Sequence, residues 1–401
     1  LPQTHSKRRA DSRRETRDVQ ALSMRVGLNV LYLVPGKTGG RETYARELIA
    51  EMLELFTSVE FIAFANREAS AALREAFGEG LRIVQLPVDV ASRPSWAAGE
   101  LVAVPTAAAF RGVDILHSLA NFGPVAGPFA SVLTVHDAHR HDTAVPGSVS
   151  ALRQTTIETM MRAAARKATR VIADSHAGCA EICARIGLNP SKVDVAPLGV
   201  GRSRQPGKRS VAETRSAFGL GERVTCLSVA TNMPHKNLVA GIRALATMPA
   251  TDRPVLALAG LGTDGPDLRD AVVAAGVTDD VRLIGYCDDD TLEDLYCASA
   301  LVLLPTLYEG FGLPVLEAMT RGLAVACSDI PVLREVAGDN ALYFDPHSPR
   351  EIADVLGRLL DDKELRVRLA TAGMKHSEQF SWRTTAQLTM RSYEQARLER
   401  R

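Results

Sequence analysis

Two textures alternate along this chain: short runs of almost unbroken apolar residues, and longer stretches in which apolar residues return every three or four positions. The short runs have the length of strands covered on both faces; the longer ones have the period of a helix with one buried side. In the first half, strands are expected at 25–34, 59–65, 82–86, 115–116, 131–135 and 170–173, with helices at 41–55 and 148–167. In the second half, strands at 224–230, 255–259, 281–284 and 301–304 alternate with helices starting near 238 and 266 and one at 291–298. Such alternation means parallel sheets, because consecutive parallel strands need a helix-length crossover. The economical architecture is α/β, with two doubly wound, Rossmann-like domains facing a cleft. Ligands bind such domains at the carboxyl ends of the strands.

The two series are separated by 199–221, a stretch rich in Gly, Arg, Ser and Lys with a Pro206-Gly207 step, although 211–218 could form a short helix. The expected division is a polar, basic tail at 1–23, a first domain at 24–200, a connection at 201–221, a second domain at 222–381 and a last helical segment at 382–401. Two domains suit 401 residues. Lys+Arg and Asp+Glu balance at 47 each, so no global field favours nucleic acid. Six cysteines without a C-x2-C pair read as reduced core residues and not as a zinc site. No apolar stretch reaches the roughly eighteen residues of a membrane helix. Residues 1–23 lack the apolar segment of a signal peptide; they read as a disordered tail, or as sequence ahead of a start at Met24. The expected location is cytoplasmic.

The densest chemistry is Glu309-Gly310-Phe311-Gly312-Leu313-Pro314-Val315-Leu316-Glu317, directly after the apolar run 301–304. Pro314 suits the first turn of a helix, where its missing N–H costs nothing. The geometry is therefore strand, tight loop, helix start, with Glu309 in the loop and Glu317 in the first helical turn. Open backbone N–H groups at such a start attract a phosphate, and glycines let it come close. Carboxylates repel phosphate, so the two glutamates suit sugar hydroxyls. A nucleotide diphosphate sugar presents both chemistries. Lys236 lies between a strand and a helix, where a point charge can meet a diphosphate. His136-Asp137 ends a buried apolar run, so the pair points toward the cleft.

Taken in order, Gly39-Gly40, His136-Asp137, Ala173-Asp174-Ser175, Pro197-Leu198-Gly199-Val200, His235-Lys236-Asn237 and the Glu309–Glu317 run resemble the landmarks of retaining glycosyltransferase family 4, which has the GT-B fold. They span roughly residues 25–385. The resemblance implies an enzyme that moves a hexosyl group to a hydroxyl acceptor without a catalytic metal or cofactor. It makes His136, Glu309 and Lys236 catalytic: His136 orients the donor sugar and steadies oxocarbenium-like charge, Glu309 holds the sugar, and Lys236 stabilises the departing diphosphate. Glu317 would hold the ribose. Gly39, Gly40, His235, Gly310, Phe311, Gly312 and Leu313 complete the donor site, and the last helix would cross back to the first domain. The family arginine six residues before the lysine is replaced by Ala230, a gap His235 is expected to fill in part, better when protonated.

The Thr134-Val135-His136-Asp137 and Pro234-His235-Lys236-Asn237 stretches look most like mannosyl-transferring members, so GDP-mannose is the favoured donor, with UDP- and dTDP-sugars open. The acceptor, a saccharide or a lipid-linked hydroxyl, is not legible in the loop 118–128. A basic helix set (Arg153, Arg162, Arg166, Lys167, Arg170) reads as a solvated face, with peripheral membrane contact as the alternative. Three patterns are set aside. Gly260–Gly265 fits G-x-G-x-x-G but no acid ends the next strand, which argues against NAD. Asp288-Asp289-Asp290 precedes a helical segment and reads as a cap. His136, His139 and His141 resemble metal ligands in spacing only. The alternatives to a transferase are an epimerase or hydrolase on the same fold, and a non-catalytic nucleotide-sugar sensor.

Overall fold

The computed structural model describes residues 24–137, 149–200 and 207–400. The basic tail, His139 and His141 lie outside them. The first sheet contains β1 Arg25–Asn29, β2 Glu60–Ala65, β3 Arg82–Gln85, β4 Ile115–Ser118, β5 Ala130–Val135, β6 Arg170–Ala173 and β7 Val193–Val195. Its order is β3-β2-β1-β4-β5-β6-β7, and every pairing is parallel. The second contains β8 Thr225–Val229, β9 Val255–Ala259, β10 Val281–Gly285, β11 Leu301–Leu304, β12 Ala324–Ser328 and β13 Leu342–Phe344. Its order, β10-β9-β8-β11-β12-β13, repeats the same winding, again all parallel. Each sheet reverses direction beside its first strand, at β1/β4 and at β8/β11, which opens a crevice at the carboxyl ends there.

The expected first strand stops early. Asn29 ends it by turning its Oδ1 onto the Leu31 N–H at 3.1 Å and its Nδ2 onto Glu100 at 2.7 Å. Val30, Leu31 and Leu33 remain fully buried in the turn that follows. An apolar run reports burial, and here burial outlasts the strand. Strands β7 and β13 are too short to show a period, and β12 (AVACS) is buried although its residues are small.

The C-terminal helix Trp382–Glu399 lies on the first domain. It buries Trp382, Ala386, Met390, Tyr393 and Ala396, one stripe at helical spacing. Thr385 Oγ1 donates to the Pro197 carbonyl at 2.6 Å, so the Pro197–Val200 segment seats this helix. One apolar core runs from β1 through Trp382 and Tyr393 into the helix Leu313–Thr320 of the second domain. Three of the five basic residues proposed as a surface set are already engaged. Arg162 pairs with Glu158, Arg166 donates to the Ile186 carbonyl, and Arg170 is buried between Asp194 and Glu399. Of these, only Arg170 is withdrawn from the surface. No described helix is long and apolar enough to cross a membrane.

Candidate functional site

The loops after β8 and β11 bring the two expected charges together. Lys236 ends the short turn Pro234–Lys236, and its Nζ meets Glu309 Oε1 at 2.6 Å, the two side chains being 19% and 8% exposed. Asn237 holds the turn. It adopts a left-handed conformation (φ 55°), and its Nδ2 donates to the Pro305 and Pro346 carbonyls at 3.0 and 2.9 Å. His235 braces the pair through its backbone, its carbonyl accepting from the Leu307 N–H at 2.7 Å and from Thr306 Oγ1 at 3.0 Å.

The helix Leu313–Thr320 opens from Gly312, whose φ of 100° disfavours residues with a side chain, and no side chain caps it. Pro314 brings no N–H to this turn, and the Val315 and Leu316 amides donate to the Gly312 carbonyl, which leaves the Leu313 amide at the helix start toward the loop. Glu317 falls beyond the first turn, not within it, because the helix begins at Leu313. Tyr296 donates to Glu317 Oε2 at 2.8 Å, and Arg321 lies over the Tyr296 ring at 4.5 Å. Burial raises the Glu317 pKa, against the lowering effects of Tyr296 and Arg321. The Phe311 ring is buried edge-on against Phe380, so only its backbone borders the loop. Leu313 faces the first domain, where a Cβ on Gly40 would stand 3.4 Å from its Cδ1. Gly40 and the start of the helix Leu313–Thr320 thus meet across the cleft.

Residues 39–199 match the glycosyl transferase 4-like domain, and residues 211–376 match glycosyl transferases group 1. The chain belongs to the family-4-type glycosyltransferases. It is 34% identical over 170 residues to O-antigen chain mannosyltransferase B of Escherichia coli, covering 42% of this chain and 45% of that protein. It is 32% identical over 249 residues to a D-inositol 3-phosphate glycosyltransferase of Salinispora arenicola, covering 57% and 55%. The chain spans about half the length of the curated relatives it matches. Anabaena HepE in complex with UDP and glucose shares the architecture at TM-score 0.71 and 18% identity, over 92% of this chain and 99% of that one. The fold of this glycosyltransferase is GT-B.

On the first-domain side the histidine is held tightly. His136 Nδ1 donates to Asp174 Oδ2 at 2.8 Å, and Nε2 donates to the Leu119 carbonyl at 3.0 Å. Both ring nitrogens face acceptors, which is the arrangement of an imidazolium. Burial lowers its pKa, but the Asp174 carboxylate, its hydrogen bond and the Leu119 carbonyl outweigh that, and the net shift is upward. The Tyr44 ring meets the imidazole edge-on at 4.7 Å. Both ring nitrogens are thus committed to protein acceptors. Asn121 fixes the backbone beside it, its Oδ1 accepting from the His136 N–H at 2.9 Å and its Nδ2 donating to the Asp137 carbonyl at 3.1 Å.

The two halves of the site touch at Gly310. A Cβ there would stand 1.9 Å from the His136 carbonyl oxygen, so the 309–312 loop approaches His136 as only glycine permits. In the sequence Asp174 stands out only as part of the Ala173-Asp174-Ser175 landmark. The pairing of Val135 with Ala173 in β5 and β6 places residues 136 and 174 side by side at the ends of adjacent parallel strands. Equal offsets after neighbouring strands were the signal that could have found this pair. Beneath His136, Tyr44, Thr134, His117 and Tyr393 form a buried chain of hydrogen bonds at 2.8, 2.8 and 2.7 Å. Burial pushes the His117 pKa down to about 3, so this support is neutral. Periodicity carried no sign of it, because its members come from four separate elements.

The patterns set aside have structural uses. Asp288 caps the helix Asp289–Cys297, its Oδ1 accepting from the Thr291 N–H at 2.8 Å. In the Gly260–Gly265 loop, Thr263 donates to the Leu258 carbonyl and accepts from the Gly285 N–H, both at 3.0 Å. Among the described residues, no three His, Cys, Asp or Glu are grouped to hold a metal ion.

Proposed function

We propose that this chain is a retaining glycosyltransferase that moves a hexosyl group, with mannose favoured, from a nucleotide diphosphate sugar to a saccharide or lipid-linked hydroxyl. The observation that carries the reading is the Lys236–Glu309 pair beside the uncapped helix start at Gly312-Leu313, set against His136 across the Gly310 contact. In the occupied site, Lys236 exchanges Glu309 for the diphosphate and stabilises it as it leaves, aided by the helix N-terminus. Glu309 is then released to accept from the sugar hydroxyls. Glu317 accepts from the ribose while Tyr296 fixes its other oxygen. His136 closes the sugar subsite from the first-domain side, held by Asp174 and Leu119. Departure and attack occur on one face, with the donor phosphate taking the acceptor proton, and no protein nucleophile or metal is required. Mannose is favoured by the mannosyl-transferring relative and by the motifs around His136 and Lys236.

The test is thermal stabilisation by GDP, UDP, dTDP, ADP and NAD, followed by transfer assays with the matching sugar nucleotides. At ~1 mM ligand and a dissociation constant of ~10 μM, one nucleotide should add about 2.7 kcal/mol. Stabilisation by GDP and acceptor-dependent mannosyl transfer with retained anomeric configuration is the expected result. Stabilisation by UDP alone would remove mannose as the favoured sugar and leave the transferase. Release of free or isomerised sugar without acceptor dependence would replace it with a hydrolase or epimerase.

A further inference from the structure

Beside the Gly310 contact, the two domains are joined by a second set of hydrogen bonds that the roles above do not use. Ser175 caps the helix His176–Ile186: its Oγ accepts from the Gly178 N–H at 2.9 Å and donates across the cleft to the Gly310 carbonyl at 3.2 Å. The two amides that this hydroxyl does not serve are those of His176 and Ala177. Both donate to a single carboxylate of the second domain, Glu335, at 2.8 Å to Oε1 and 2.8 Å to Oε2. Glu335 projects from the helix Pro331–Ala337. A carboxylate is the favoured partner for a helix N-terminus, and two charge-assisted bonds fix its orientation as well as its distance.

The grip falls on a sensitive place. Asp174, which holds His136, immediately precedes Ser175, and Gly310 immediately follows Glu309. The bonds of Glu335 and Ser175 therefore set the separation between the two catalytic pairs, His136–Asp174 and Lys236–Glu309. We propose that Glu335 is a positioning residue for transfer, fastening the second domain to the N-terminus of the helix His176–Ile186 so that those pairs face one donor. The proposal rests on the transferase reading above. It also explains how the fastening can be undone. The two Glu335 bonds are amide–carboxylate contacts and the Ser175 bond is a hydroxyl–carbonyl contact, all at the domain boundary where water can replace them, so the cleft can part to admit a donor and close again. A misplacement of about 1 Å between reacting groups costs up to ~100-fold in rate, which gives such a fastening its catalytic leverage.

The experiment compares the full chain with its Glu335→Ala and Glu335→Gln variants in three measurements. These are steady-state transfer, nucleoside diphosphate affinity, and hydrogen exchange of the peptides covering 174–180 and 308–312. Loss of Glu335 should lower kcat roughly tenfold or more, with nucleotide affinity within about twofold, because Lys236 and Glu317 are untouched. The amides of 176–177 should exchange faster. Glu335→Gln keeps one acceptor oxygen and should fall between the other two. Faster exchange with unchanged kcat would overturn the positioning role. Equal losses of kcat and nucleotide affinity would also overturn it, as they would mark general loosening. Unchanged exchange at 176–177 would remove the fastening itself, whether or not transfer is observed. A wild-type chain that transfers from no donor would overturn the transferase reading, while faster exchange in the variant would still sustain the fastening.

Discussion

The two domains share one winding order and hold their site residues in opposite ways. In the first, His136 has both ring nitrogens committed to Asp174 and Leu119 and rests on Tyr44 and a neutral hydrogen-bond chain that reaches the C-terminal helix. In the second, the contacts leave room for a ligand: Lys236 is paired with Glu309, a partner that can be exchanged, and Glu317 has only one carboxylate oxygen taken, by the Tyr296 hydroxyl. The first domain supplies fixed geometry; the second supplies exchangeable contacts. A donor can bind only where protein–protein bonds can be traded for protein–ligand bonds. Catalysis needs the opposite wall not to move when that trade is made. The same architecture thus serves two purposes through the bonding of a few side chains at its strand ends.

The sharpest way to break this division is at the point where the halves touch. Gly310→Ala places a methyl group against the His136 carbonyl, where 1.9 Å is available. Transfer should drop by roughly 100-fold or more, while nucleotide affinity, proposed above to rest on Lys236, Glu317 and the helix start, changes little. Calorimetric titration with the nucleotide beside initial rates would check this. Equal losses in both would show that the second domain's site also depends on the contact.

Asp174→Asn tests the fixed side at smaller expected cost. Removing the carboxylate takes away the main influence raising the His136 pKa, so the ring should titrate lower and turnover should fall roughly ten- to hundredfold. The sign follows from the raised folded value. The stabilisation that protonated His136 provides is fully present below about pH 6.5 and is lost as pH rises through the higher folded pKa. In Asp174→Asn that loss should be smaller and be complete at lower pH. Histidine ring-proton NMR across the pH range reads the shift directly.

The smallest effect concerns a buried group on the fixed side that lies outside the proposed chemistry. Glu100 is 1% exposed beneath β1, and burial pushes its carboxyl up to about 8 against hydrogen bonds from Asn29 and Trp96. The folded chain therefore keeps a proton that the unfolded chain sheds, and stability declines as pH rises from about 4.5 toward 8. Glu100→Gln should flatten that decline and melt slightly higher near pH 7. Parallel melting curves at about pH 5 and pH 8 decide it; an unchanged slope would mean that Glu100 ionises freely.

Sequence alone determined the strand–helix alternation, the two parallel sheets and the strand–loop–helix turn at 309–317. Those features rest on local periodicity and on glycine, proline and charge at fixed short spacings. It also singled out His136, which ends an apolar run, and, from their loop positions and the family resemblance, Lys236 and Glu309. It did not determine where burial would outlast a strand, as after Asn29, since apolar runs record burial and not hydrogen bonding. Nor could it pair His136 with Asp174, or Lys236 with Glu309, or Glu335 with the amides of His176 and Ala177. Those partners lie 38, 73 and about 158 residues apart. Tertiary structure decided them, because strand register and domain closure alone set which distant side chains come within a hydrogen bond of one another.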